Sequence, residues 1–389
     1  MSSHRIAIIG SGLVGRLLAW RLSTADFLSD KDVQITLIDQ HERDFFGTGL
    51  VAAAMVAPYT EAVSTEAVTQ YLGARSSTLW SEWLAELETQ TGEHVAFDQN
   101  GTLVVSHPQD DADWQRFHIK AQSVLGDENA DQMQVLDQSA LNDVEPELTT
   151  GFSKALYFAN EGVVNNLKLY PALTRYFNQA KNITWVENTK VNRVDNSGKI
   201  EGFDAVFDQV FDCRGNGAKT DLKKFRSVRG EVARVYAPEV NFTRAVRLMH
   251  PRFPLYIAPR ENHEYIIGAT QIESDDDSPV TVRSGLELLS ALYSLHQGFG
   301  EAQIIDLLVG LRPTFINNLP QVECDNKLIR INGLYRHGYL FAPALLDDLM
   351  HHLADEQGKI QFPQFIFSSD TNDKESDDPS QYQQQSANA

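Results

Sequence analysis

Apolar and polar positions recur with different periods along the chain, and each change of period predicts an element. RIAIIG, residues 5–10, is a short continuous apolar run of the β type. Glycines follow at once, and then Leu13, Leu17, Leu18 and Leu22 fall on one face of a helix. VQITLIDQ, residues 33–40, is a second β-type run with Asp39 near its end. Strand, glycine turn, helix and strand form the opening unit of a doubly wound parallel sheet, so the fold class is α/β.

Residues 65–88 have helical spacing, with Val68, Leu72, Leu79, Trp83 and Leu87 able to line one side. GTLVVSHP (101–108) predicts a strand, and the acidic stretch 110–138 a helix anchored by Trp114 and Phe117. NITWVENTKVNRVD (182–195) and DAVFDQVFDCRG (204–215) predict further strands, the second closing on Gly215 and Gly217. From 228 to 270 the pattern is β-rich, through GEVARVYAP, AVRLMH, PLYIAPR and EYIIGATQ. A run of strands after βαβ units predicts a second, largely antiparallel sheet. A helix follows over 282–296, and α/β character returns through GLRP, KLIRINGLY and a helix starting near Ala342. No internal repeat is visible.

Charge narrows the partners. Asp and Glu total 53 against 33 Lys and Arg, a net charge of −20, which disfavours nucleic acid and anionic membrane. No run of some eighteen apolar residues predicts a membrane span. Residues 1–5 lead straight into a strand without signal-peptide anatomy, so a cytoplasmic location is expected. Cys213 and Cys324 are too few and too far apart for a disulfide framework or a zinc site, and no metal is expected. The polar, acidic stretch from Ser368 onward is expected to be a disordered tail.

Gly10-Ser11-Gly12-Leu13-Val14-Gly15 fits G-x-G-x-x-G and lies between a strand and a helix, the context that gives the motif meaning. The first glycine permits the turn, the second lets a pyrophosphate approach the backbone, and the third lets helix and strand pack. Asp39 comes where a ribose-binding acid belongs. The motif alone does not choose between NAD and FAD. One other stretch demands explanation: GLYRHGYLFAPALL, residues 333–346, sets Arg336 and His337 inside an apolar run, which is costly without compensation.

Several segments, in order, resemble the glycine oxidase/D-amino-acid oxidase family of FAD-dependent amine oxidoreductases, and within it the glycine-oxidase branch. They are the fingerprint, Ala52-Ala53-Ala54-Met55-Val56-Ala57-Pro58, VRGE (228–231), YIAPR (256–260), IIGATQIES (266–274), GLRP (310–313) and NGLYRHGYLFAPAL (332–345). The resemblance implies FAD as cofactor and a discontinuous, Rossmann-like FAD domain (1–88, 151–225 and 305–367). Residues 89–150 and 226–304 would form a substrate domain. It implies that Arg312 anchors a substrate carboxylate, for which a planar guanidinium is suited, with Tyr256 beside it and Arg336 adding positive charge at the flavin edge. Gln271 and His337 would line the substrate pocket; Gln271 stands where the branch commonly has methionine. Contacts to FAD are implied for Gly10, Ser11, Gly12, Leu13, Val14, Gly15, Asp39, Ala53, Ala54, Met55, Val191, Gly215, Gly333, His337, Gly338, Tyr339 and Leu340. Ala54 replaces a frequent glycine, which is tolerable unless the position needs positive φ. Pro343 would sit in the first turn of the C-terminal helix, whose N-terminus would face the flavin.

The activity implied is oxidative deamination of glycine, sarcosine or a small D-amino acid, with O2 as acceptor and a possible homo-oligomeric state. Three other readings stay open. One is an amino-acid dehydrogenase using a quinone or carrier protein. Another is a flavoprotein acting on a macromolecule, disfavoured for tRNA by the charge. The last is a flavin-binding partner without turnover.

Overall fold

The computed structural model describes residues 3–45, 47–249 and 255–368. The tail beyond Ser368, and His250 and Pro254 at the ends of two expected strands, lie outside the described residues.

Among these residues the first sheet has seven strands, in the order Ile366–Ser368, Gln321–Asp325, Leu328–Asn332, Gln209–Asp212, His4–Ile9, Val33–Ile38 and Ile183–Val186. The five from Leu328–Asn332 to Ile183–Val186 run parallel. His4–Ile9 is central and nearly fully buried beyond Arg5, which explains its unbroken apolar run. The helices Leu13–Ser23, Val68–Thr91, Asn166–Gln179 and Gly338–Leu353 pack one large core with it.

The second sheet has nine strands and is mostly antiparallel, with one parallel contact between Thr102–Ser106 and Ala245–Met249. Its longest pair, Phe225–Tyr236 and Gln303–Phe315, runs nearly full length in register. Lys154–Phe158 pairs with Thr102–Ser106 and Gln134–Asp137 in this sheet. The divisions drawn at residues 151 and 305 therefore do not follow the strands. Both strands sit close to a change of character in the sequence, and composition does not reveal which sheet supplies their partners.

Three expected elements are shorter than the pattern implies, one of them the strand expected over 204–215, which is only Gln209–Asp212. The helix expected over 110–138 is Asp111–Leu125; it stops at Gly126, φ 63°, and the chain then forms the strand Gln134–Asp137. Its buried residues Trp114, Phe117, Ala121 and Leu125 end where the helix ends. The strand expected over 182–195 is only Ile183–Val186, after which the chain turns and Thr189 N–H bonds Asp39 O.

The C-terminal helix starts at Gly338, four residues earlier than expected, so Pro343 is inside it rather than in its first turn. A proline there leaves the carbonyl four residues back without its helical donor. That carbonyl, on Tyr339, accepts the Trp80 indole N–H at 2.7 Å. A tertiary bond from the long helix Val68–Thr91 replaces the missing backbone one.

Candidate active site

The nucleotide end is built by the first strand–turn–helix. Gly10 has φ 99°, and a Cβ there would lie 2.5 Å from Cys213 O. A Cβ on Gly15 would lie 1.9 Å from Gly10 O, so this glycine serves strand–helix packing and does not line the cavity. Gly12 differs: a Cβ would meet nothing within 4 Å. No neighbouring group needs Gly12 to be small, so its bareness suits a ligand that approaches the backbone. Asp39 accepts from Ser11 N–H at 2.5 Å and Ser11 Oγ–H at 2.9 Å, which fixes the turn, and from His41 N–H at 2.9 Å.

Arg16, one residue past the fingerprint, was not singled out by the sequence reading. It is buried, lines the same cavity, and donates to Ser11 O, Thr174 Oγ1 and Arg43 O. Tyr170 and Trp185 rings lie 4.7 Å from its guanidinium. Burial lowers its pKa, and it makes no salt bridge among the described residues. A buried cation of this kind beside a bare glycine turn fits a diphosphate.

The cavity, enclosing about 450 Å³, runs from this turn to the second sheet. Ser11, Gly12, Leu13, Val14 and Asp39 line its near end, with Val191 and Gly215. Ala53, Ala54 and Met55 line it as well, as do His337, Gly338, Tyr339 and Leu340. Gly333 does not line it: it has φ 80°, and a Cβ there would lie 2.3 Å from the Phe315 ring. Its role is the turn before the helix, not contact with a cofactor. Ala54 has φ 54°, so the condition that makes alanine unfavourable there is met. Asn166, also missed from sequence, holds this loop by donating to Gly49 O, Leu50 O and Ala52 O, and Arg260 donates to Ala53 O. Tyr339 O–H donates to Gly49 O at 2.8 Å, tying helix to loop.

At the far end Arg312 lies over Gly230, where a Cβ would come within 2.1 Å of its guanidinium. It donates to Thr270 O at 3.0 Å and makes no salt bridge among the described residues. Burial lowers its pKa. Tyr256 borders it; burial raises the phenol pKa while Arg312 draws it down. Gln271 is exposed at the cavity edge.

Arg336 and His337 find their compensation in Glu61, a residue that no local motif marks. Glu61 contacts Arg336 at 2.7 Å, His337 at 2.9 Å and Arg247 at 3.3 Å. Burial alone would raise the Glu61 pKa, but these three groups hold it far below the usual carboxylate range. The charge of Arg336 is thus largely spent on Glu61. Burial lowers the His337 pKa against the pull of Glu61, and its Nδ1 has no partner among the described residues.

Glu161 supports the short helix Pro58–Ala62 that carries Glu61, accepting from Tyr59 N–H, Thr60 N–H and Thr60 O–H. Burial, which outweighs the hydrogen bonds from Thr60, pushes its carboxyl up to about 7. A folded pKa above the unfolded value of about 4.3 means that this group's contribution to stability falls as pH rises between them. Glu161→Gln removes that loss. Between pH 4.5 and 7.5 the variant is expected to gain on the wild type by about 2–3 kcal/mol, read by urea unfolding. A pH-independent difference would show that Glu161 ionises normally.

No helix among the described residues is long and apolar enough to cross a membrane. The glycine turn, the buried Arg16 and the cavity beside them form a site that suits a dinucleotide. The chain belongs to the DAO family of FAD-dependent oxidoreductases, whose pattern matches residues 5–347. It is therefore an FAD-dependent oxidoreductase. It is similar to ThiO of Rhizobium etli, 34% identical over 355 residues, covering 91% of this chain and 98% of that protein. Glycine oxidase of Pseudomonas aeruginosa is 25% identical over 377 residues, 90% of this chain and 95% of its own. The crystal structure of glycine oxidase from Geobacillus kaustophilus superposes with a TM-score of 0.76 at 22% identity, covering 94% and 99% of the two chains.

Proposed function

We propose that the enzyme oxidises a small amino acid, with glycine the simplest case, at the carbon between amine and carboxylate. The observation that carries this reading is Arg312: a half-buried guanidinium that lines the nucleotide cavity beside Tyr256, without a carboxylate partner among the described residues. A carboxylate there completes the guanidinium's hydrogen bonds and offsets its burial. Tyr256 O–H is placed to donate to the same carboxylate.

FAD, when bound, would supply a two-electron acceptor for the substrate's α-hydrogen. Gly12 and Arg16 would receive its diphosphate, Asp39 its ribose, and Ala53–Met55 with residues 337–340 its ring. What remains for this chain is orientation. Glu61, pinned as an anion by two guanidinium groups and a hydrogen bond with His337, is a poor base, and His337 spends Nε2 on Glu61. The substrate amine therefore enters neutral, and the imine it becomes is hydrolysed by water to a 2-oxo acid and ammonia, glyoxylate in the case of glycine.

With O2 as acceptor, the holoenzyme in air should yield one H2O2 per glycine consumed, measured with a peroxidase-coupled dye. Glycine turnover that needs an added quinone and yields no peroxide would replace the oxidase with a dehydrogenase. Absence of turnover with every small amino acid would remove the reading itself.

A further inference from the structure

We propose that the preferred substrate is a small amino acid bearing a second carboxylate, with Arg312 taking the first and Arg247 the second. This rests on the reading of the cavity as an amino-acid oxidation site.

Arg247 sits in the strand Ala245–Met249, directly opposite Tyr256 in antiparallel register. Cross-strand partners project from the same face of a sheet. The row continues from Tyr256 to Gly268 and on to Val232, two residues from the Gly230 on which Arg312 rests. Arg247 and Arg312 thus stand on one face with Tyr256 between them, and all three line the cavity.

A guanidinium in a buried strand demands a reason. Arg247 is 5% exposed, in a stretch whose other side chains are apolar. Its Nη1 donates to Thr60 O at 3.1 Å and lies 3.3 Å from Glu61, and the Phe117 ring lies 5.4 Å from its guanidinium. Glu61 is shared with Arg336 and His337, both closer. Among the described residues that line the cavity around Tyr256, Arg247, Arg312 and Arg336 share one carboxylate, Glu61; Glu161 does not line it. One substrate carboxylate leaves a buried positive charge uncompensated, and a second one balances it. Such a cationic end contrasts with a chain whose net charge is −20.

The test uses the holoenzyme and isosteric pairs that differ only in charge. Malonate and its monoamide are titrated against the flavin absorption spectrum, which reads binding without turnover. Malonate is expected to bind about tenfold tighter or more. Arg247→Met should abolish that difference, and Arg247→Lys should keep part of it. In turnover, kcat/KM for aspartate over asparagine, each tried as both enantiomers, should exceed about ten for one enantiomer and fall to near unity in Arg247→Met. Equal binding of malonate and its monoamide by the wild type would overturn the proposal, even if Arg247→Met did not fold. A selectivity ratio unchanged in Arg247→Met would do the same, and a shifted flavin potential alongside it would assign the charge to the cofactor. If no amino acid reduces the flavin, the functional reading fails instead, whatever the malonate ratio.

Discussion

Arg312→Ala is expected to lower kcat/KM for glycine by about 10²–10³-fold while FAD stays bound. The magnitude follows from what is lost: one partner of a buried, charge-assisted pair, a change that costs about 2–5 kcal/mol. FAD should remain because Arg312 bonds Thr270 O and has no hydrogen bond to Gly12 or Arg16, which would hold the diphosphate. Arg312→Lys should recover little, since an ammonium cannot present two parallel donors to a carboxylate. Flavin content is read from the absorbance ratio of the purified variant, and turnover from initial rates. Near-wild-type kcat/KM in Arg312→Ala would place the substrate carboxylate elsewhere.

The second large effect separates two glycines three residues apart. Gly15→Ala forces a Cβ to 1.9 Å from Gly10 O, a backbone atom that cannot swing aside. The strand and its helix must part, which is expected to cost about 3 kcal/mol or more and to give poorly soluble protein. Gly12→Ala meets no protein atom within 4 Å. The apoprotein should keep the wild-type melting temperature, whereas FAD affinity should fall roughly 10–100-fold, as for about 1–3 kcal/mol of overpacking. Thermal melts and flavin-quenching titrations check both arms. Equal FAD affinity in Gly12→Ala and wild type would contradict the placement of the diphosphate.

These two glycines also show what the sequence can carry. Local constraints are legible: the fingerprint reports its own turn and its own helix–strand contact, and the apolar run before it reports burial on both faces. The start of the C-terminal helix was not, because Pro343 argues for a first-turn position until Trp80 donates to Tyr339 O. Nothing near Pro343 in the chain announces an indole 259 residues before Tyr339.

The site divides in the same way. Arg312 and Tyr256 were reached through short motifs that resemble a family, and the structure brings both to one cavity. Glu61, Asn166 and Arg247 were missed, since each matters through partners from distant segments. Arg247 had a signal that could have been used: a lone guanidinium among the apolar residues of AVRLM. Arg336 was expected to serve the flavin edge, and its contact with Glu61 shows a charge committed to holding the wall. Ala54 illustrates a conditional reading. The sequence shows that a glycine is absent, but only backbone geometry shows that φ is positive there.

The central claim is that one cavity joins a bound flavin to an amino acid held on Arg312. The most direct measurement is the absorption spectrum of the holoenzyme before and after anaerobic addition of glycine or aspartate. Oxidised-flavin bands are expected to bleach with substrate in the wild type, and to bleach far more slowly in Arg312→Ala. Flavin bands untouched by either amino acid, or bleaching equally fast in the variant, would contradict it.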